Sequence, residues 1–400
     1  MKLLIIVGYD LEQNSSANLC HLAYIKGFVQ NNCDITLITA KSNLVQHDKL
    51  MKIDENVNVK YYSSDTIWTR MNKILKRKNV NSIYTQNNNL NTSKKIELKK
   101  IIKNLIIDKI YMMDNKWIKR ASKFKSDVFY DYVISLAYPP ASHKVAINLL
   151  NKKRIFCNKY IQIWEDPWIE DLFFSQDRNL VKIEEENLLD SADIVYYVSP
   201  LTLANQKKIF TKQSHKMKWI PLPTYYEKNN IISTNKYIFG YFGDYVPYVR
   251  DLSNFYHVMK ETQYTTYICG NPYGLFKENS TIQIFPRKPL KELEELENKT
   301  SVLVFLCNLK GGQIPGKLYQ YAATNKIILF ILDGTPEEKQ VLFNYFSQFN
   351  RFVFCENNKK DIKRAILEIV SSKHDETAFK LDYFTPKNIT KKILHEEDEL

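Results

Sequence analysis

The chain is 400 residues long, 44% hydrophobic and 25% charged, which excludes a disordered polypeptide and leaves room for two domains of ordinary size. No run approaches the roughly 18 apolar residues of a membrane span. Six scattered cysteines (Cys20, Cys33, Cys157, Cys269, Cys307 and Cys355) without pair spacing read as reduced core residues of a cytosolic protein, not as a disulfide frame or zinc site.

The apolar run at 2–7 is too short for a signal peptide and polar residues follow it at once, so it reads as a first buried strand. Further strands are expected at 34–39, 57–62, 130–136, 160–164, 194–198 and 217–220, with helical patterns at 17–30, 141–150, 179–192 and 200–210. A polar stretch at 227–235 reads as a linker. The alternation then restarts, with strands at 237–243, 264–269, 281–285, 302–307, 327–331 and 351–355. Helices fit at 251–261, 290–298, 315–324, 336–346, 360–371 and 387–396. Strands alternating with helices from end to end predict α/β architecture with parallel sheets, most economically two Rossmann-like domains.

The formal net charge of +13 is concentrated in residues 66–125, where sixteen lysines and arginines meet only Glu97, Asp108 and Asp114. The remainder of the chain is neutral overall. Leu75, Ile101, Ile102, Leu105, Ile106, Ile107, Ile110 and Trp117 interleave with the charges. That mixture suits an anionic membrane surface. The same charges would also serve nucleic acid, or simply form a solvated helical face.

The segment 313–331, QIPGKLYQYAATNKIILFI, is the most informative stretch. Pro315 falls in the first turn of a helix, where proline costs least. At 100° per residue Ile314, Leu318, Tyr321 and Ala322 share a face that can pack on a sheet. Gln313, Gly316, Lys317 and Gln320 fall on the other side. A helix starting just past a parallel strand, with a Gly-Gly turn before it and an outward lysine, suits an anion. The alternative is an amphipathic surface helix with a solvated lysine.

This segment resembles the donor-binding helix of GT-B glycosyltransferases, especially those of glycosyltransferase family 4. Three other stretches agree in order: YDYVISLAYPPASH at 130–143, YIQIWEDPW at 160–168, and IFGYFGDYVPYVR at 238–250. The resemblance implies an acceptor domain at 1–226, a donor domain at 236–384, and a last helix within 385–400 that returns to the first domain. It departs from the family at the two glutamates around the donor helix, where this chain has Gly312 and Gln320, and just after the loop glycine, where Asp244 stands in place of arginine.

The resemblance also implies roles for particular residues. Arg250 and Lys317 would bind the donor diphosphate, and Gly243, Gly270, Phe285, Asn308, Gln313, Pro315, Gly316 and Gln320 would line the donor site. Cys269–Pro272 and Phe285–Arg287 are placed to hold the base. Asp166 would be a base or acceptor-orienting carboxylate, with Glu165 beside it; strand alternation suggests that only one of the two faces inward. An Asp-Pro turn with Trp168 in the core is the rival view of that segment.

The loop at 8–16 lacks the Gly-x-Gly-x-x-Gly spacing, so a nicotinamide dinucleotide is not supported. By the resemblance, Ser15 and Ser16 would touch the acceptor, or they cap the next helix. His143 would touch the acceptor too, although a lone histidine at a helix start is commonly structural. The fold normally needs no metal, and the expected ligands are a UDP- or GDP-linked sugar and a lipid-linked glycan, as in bacterial surface polysaccharide synthesis. The expected location is the inner face of the cell membrane, with contact through 66–125 and no nucleic-acid partner. Rival readings are a non-catalytic GT-B subunit, motivated by Gly312 and Gln320, and a nucleotide-sugar epimerase.

Overall fold

A computed structural model describes residues 1–65, 110–111, 114–137, 139–171, 176–225, 237–309, 314–372 and 382–399. The expected linker, Gly312, Gln313 and the greater part of the basic segment, including Lys99, Lys100 and Lys103, lie outside the described residues. The chain divides into two compact units: Met1–Tyr197 with Gln206–Lys218, and Val198–Asn205 with everything from Trp219 onward.

The first unit holds β1 (Lys2–Val7), α1 (Ser16–Gln30), β2 (Asp34–Lys41), β3 (Asn58–Ser63), α2 (Asn115–Ala121) and β4 (Phe129–Ala137). It continues through α3 (Ala141–Asn151), β5 (Phe156–Trp164), α4 (Arg178–Asp190) and β6 (Ile194–Tyr197). α5 (Pro200–Ile209) and β7 (Met217–Trp219) follow. The strands form one sheet in the order β3-β2-β1-β4-β5-β6-β7. Leu3 to Val7 are wholly buried, as expected of a parallel strand covered on both faces. The strand order reverses between β1 and β4, so the loops after them flank the place where such sheets bind ligands.

The second unit begins at β8 (Ile238–Phe242), followed by α6 (Ser253–Lys260), β9 (Thr265–Cys269), β10 (Ile282–Phe285), α7 (Leu290–Lys299) and β11 (Val302–Leu306). It ends with α8 (Lys317–Ala322), β12 (Ile327–Leu332), α9 (Pro336–Phe346), β13 (Phe352–Glu356), α10 (Lys359–Ser371) and α11 (Pro386–Leu394). Its sheet is parallel throughout, in the order β10-β9-β8-β11-β12-β13, and reverses between β8 and β11. The α/β class and both parallel sheets are as the alternation predicts. The last helix groups with the second unit, and the last segment of the first unit ends at Lys218.

Two elements differ usefully from expectation. β5 starts four residues earlier than the apolar run, because Phe156–Lys159 alternates between exposed and half-buried positions and lacks a continuous apolar stretch. α8 is shorter than predicted. The carbonyl of Pro315 accepts from the Leu318 N–H at 3.0 Å in a tighter turn, and at the far end the Thr324 hydroxyl closes on the Tyr321 carbonyl at 2.8 Å. Ile314, Leu318, Tyr321 and Ala322 are buried as expected, and Tyr319 joins them. All six cysteines are free, four of them buried. Among the described residues no helix is long and apolar enough to cross a membrane.

Candidate functional site

In the second unit the chemistry gathers at the carboxyl ends of β8, β9, β10 and β11. The β8 ladder continues into its loop, where the Gly243 N–H donates to the Cys269 carbonyl at 2.9 Å and the Gly270 N–H to Phe285 at 3.1 Å. Gly270 must be glycine. It has φ +156°, and a Cβ there would lie 2.0 Å from the Gly243 carbonyl oxygen, so any side chain would push the two loops apart.

Asp244 follows and ties three strand ends together. Its carboxylate accepts the Asn271 N–H at 3.0 Å and two Arg287 N–H groups at 3.2 and 2.5 Å. Arg287 is largely exposed, so this ion pair contributes at most about 1 kcal/mol and acts mainly by orienting the loop.

Arg250 closes the cluster from the other side. Its Nε donates to Asn308 Oδ1 at 2.6 Å and its Nη1 to the Asp244 carbonyl at 3.3 Å, while the Tyr241 hydroxyl donates to the same carbonyl at 3.0 Å. The Leu309 N–H bonds the Val249 carbonyl at 2.8 Å, pinning the β8 and β11 loops together. Gly243 and Arg250, from the stretch 238–250, therefore meet Asn308 from a segment far along the chain.

Lys317 is not the outward, unoccupied cation that the helix pattern suggests. Its Nζ lies 2.6 Å from Glu297 Oε1 on α7 and also sits over the Tyr321 ring, 5.9 Å from the centroid. Tyr321 in turn donates to the Phe242 carbonyl at 3.4 Å, which places this pair beside the end of β8. Lys288 pairs with Glu292 at 2.9 Å and covers the Phe285 ring at 5.7 Å. Burial raises the Cys269 thiol above its ordinary range, while the Lys288 backbone and the Lys317 and Lys288 charges oppose the rise.

Four basic side chains thus surround these strand ends, and three have a carboxylate partner. Among the described residues the hydrogen-bond acceptors of Arg250 are neutral, and no carboxylate lies within ion-pair distance of it. Pro315, Gly316 and Gln320 lie half-buried at the start of α8 and along it.

In the first unit the end of β5 carries the acids. Glu165 Oε2 lies 3.2 Å from His21 Nε2 on α1, with the two side chains 7% and 0% exposed. Burial raises the Glu165 carboxyl above its usual range, and His21 opposes the rise. Burial, then the neighbouring Glu165 and Asp171 carboxylates, push Asp166 up to about 7. Both residues are partly buried, and a carboxyl with a pKa of about 7 can take or give a proton near neutral pH. The turn that follows is also a core feature. Trp168 is buried with Nε1 donating to Gln176 at 2.9 Å, and the Ile169 N–H donates to Glu185 Oε2 at 2.9 Å. Glu185 is wholly buried and its carboxyl is pushed up to about 8.

Three expectations for the acceptor side need correction or choice. His143 does not face a ligand. It is wholly buried, hydrogen-bonded through Nδ1 to Ser135 at 2.6 Å and packed on Trp164 at 4.3 Å between ring centroids. Burial drives its pKa down to about 3, so it is a neutral core residue. The network continues from Ser135 to Tyr160 and Gln162 and on to the Trp164 Nε1. Ser15 is the α1 cap, accepting the Asn18 N–H at 3.2 Å, and Ser16 is exposed in the first turn.

Sequence reasoning missed His21, Glu185 and Glu297. Each is a single polar residue within a helix, and nothing local distinguishes it from a satisfied core or surface side chain. Among the described residues no group of three His, Cys, Asp or Glu side chains is arranged to hold a metal ion.

No protein-family profile and no curated protein matches the chain. Solved structures do. A glycosyltransferase from Rickettsia africae superposes with a TM-score of 0.58 at 11% identity, covering 99% of this chain and 97% of its own. The lipopolysaccharide outer core galactosyltransferase WaaB gives a TM-score of 0.51 at 11% identity, covering 99% and 98%. A UDP-GlcNAc 2-epimerase from Methanocaldococcus jannaschii gives 0.51 at 13% identity, covering 99% of both chains. At such identities the likeness speaks for the fold alone. With two parallel-sheet Rossmann-like units matched along nearly its whole length, the chain has the fold of the GT-B glycosyltransferases.

Proposed function

We propose that the protein is a glycosyltransferase that moves a sugar from a UDP- or GDP-linked donor onto a lipid-linked glycan in bacterial surface polysaccharide synthesis. The observation that carries this reading is Arg250, held by Asn308 and the Asp244 carbonyl at the reversal point of the second sheet with, among the described residues, no carboxylate within ion-pair distance. A departing nucleoside diphosphate develops negative charge, and a pre-positioned guanidinium stabilises that charge without reorganising. Lys317 would join once the diphosphate displaces Glu297. At an effective dielectric of 20 a unit-charge pair at 4 Å contributes about 4 kcal/mol, so a diphosphate, with at least two charges, competes well against one carboxylate.

The remaining donor contacts fall to Gly243, Gly270, Phe285, Asn308, Gln313, Pro315, Gly316 and Gln320. Asp166 would accept or orient the acceptor hydroxyl, with Glu165 held in place by His21. Transfer would retain anomeric configuration, the leaving phosphate assisting the incoming hydroxyl, with no metal and no cofactor beyond the donor. The protein would work in the cytoplasm on the inner face of the membrane, attracted by the basic residues of 66–125 and without a nucleic-acid partner.

A panel of UDP-, GDP-, CMP- and dTDP-sugars read by thermal shift tests the donor. The reading fails if none shifts the melt, or if the active one shifts Arg250→Ala equally. The epimerase among the similar structures supports a second reading, a nucleotide-sugar epimerase. Turnover of the donor sugar to its epimer with no acceptor present would favour it.

A further inference from the structure

Phe129 opens β4 and Phe156 opens β5, and they are register partners in the parallel ladder. Their side chains therefore leave the same face of the first sheet on adjacent strands, roughly 4.8 Å apart. Both are exposed, Phe129 at 57% and Phe156 at 48%, and the preceding Val128 is at 39%. Scattered exposed apolar side chains need no explanation, but adjacent ones do.

The loops entering the two strands are bound to each other. The Ser126 N–H donates to the Arg154 carbonyl at 3.0 Å, and Arg154 Nη1 returns to the Lys123 carbonyl at 2.8 Å. This brings the exposed Lys123 and Lys125 together with the exposed Lys152 and Lys153. Asp127 is the single acid within these two loops. Among the described residues none of these lysines, nor Arg154, lies within ion-pair distance of a carboxylate.

An aromatic pair bordered by uncompensated cations matches a partner that is anionic outside and apolar beneath. That is the profile of an acidic lipid bilayer, where lysines meet phosphates and phenylalanines enter the acyl boundary. A nucleic acid would satisfy the cations alone.

We propose that the amino ends of β4 and β5 are the edge by which this protein docks on an anionic bilayer, with Phe129 and Phe156 inserted below the headgroups and the flanking lysines on the phosphates. The inference rests on the membrane part of the reading above and assigns the contact to residues other than Lys99, Lys100 and Lys103. It is independent of the donor chemistry.

The test is co-sedimentation of the full chain with phosphatidylcholine vesicles, pure or with roughly a third phosphatidylglycerol. Binding should require the anionic lipid. Phe129→Ser with Phe156→Ser, and separately Lys152→Glu with Lys153→Glu, should each lower it by about tenfold. Melting and circular dichroism should stay as in the wild type, since all four side chains are exposed. A Phe156→Trp variant should shift its emission to the blue and be quenched by brominated lipid. The inference is overturned if the double variants bind as the wild type does, or if the tryptophan is not quenched. Loss of binding only on reversing Lys99, Lys100 and Lys103 sinks this edge and leaves the membrane reading intact. A wild type indifferent to anionic vesicles sinks both. A dimer that dissolves in Phe129→Ser with Phe156→Ser, without vesicle binding, would make this face a contact between copies and also overturn the inference.

Discussion

Arg250 reaches from the loop after β8 to the loop after β11 and donates Nε–H to Asn308 Oδ1 at 2.6 Å. One hydrogen bond thus spans the point where the order of the second sheet reverses. It fixes the direction of the guanidinium, and among the described residues no carboxylate lies within ion-pair distance of it. A hydrogen bond to a charged group contributes about 1.5–3 kcal/mol, so Asn308→Ala should weaken binding of the preferred nucleoside diphosphate by about tenfold or more. Arg250→Ala should cost more, because the charge itself is lost. Titration calorimetry decides this, and equal affinities in both variants and wild type would remove Arg250 from the site.

Lys317 should matter less than its place in the sequence suggests, because Glu297 already occupies it at 2.6 Å. Lys317→Ala is expected to weaken nucleotide binding, whereas Glu297→Gln should strengthen it by releasing the lysine. If Glu297→Gln weakens binding to the same degree as Lys317→Ala, the glutamate is holding the lysine in position rather than competing for it.

His21 and Glu165 form a buried pair in the first unit. Removing one partner leaves a buried group uncompensated, a change that costs about 3–5 kcal/mol in such settings. His21→Ala should therefore lower unfolding stability by that order in urea melts. His21→Leu combined with Glu165→Leu should recover most of it. A loss below about 1 kcal/mol for His21→Ala would mean that Glu165 is already neutral in the folded protein.

The pH dependence has a definite sign. Asp166 and Glu185 have folded pKa values raised to about 7 and about 8. Between the ordinary carboxylate range and those values the folded state binds more protons than the unfolded one. Their contribution to stability therefore falls as pH rises through that window and levels off above it. His143 acts oppositely. Its pKa is lowered from 6.5 to about 3, so its contribution to stability rises between those two values. Glu185→Gln keeps the acceptor for the Ile169 N–H and removes the titration. It should match wild type in melting temperature near pH 5 and exceed it near pH 8. Parallel pH curves for the two proteins would contradict a protonated Glu185.

Strand positions were legible because parallel strands buried on both faces are written as continuous apolar runs, such as 2–7 and 302–306. β5 shows the limit of that signal, since its first residues are exposed and escaped notice. Gly243, Arg250 and Asn308 were singled out because each follows a strand, where such sheets bind ligands, and the structure brings the three side by side. His143, in the first turn of α3, takes the structural alternative open to a histidine at a helix start, since Ser135 and Trp164 claim its ring.

Alone, the order of apolar runs and helical patterns determined that this protein would form two parallel sheets, since period and run length are local properties of the chain. Which cations remain available at the strand ends was decided only by tertiary structure. Glu297 neutralises Lys317, Asp244 neutralises Arg287, and among the described residues Arg250 donates only to neutral oxygens. Coulomb interactions depend on distance in space, and partners brought together by folding leave no periodicity for a sequence to display.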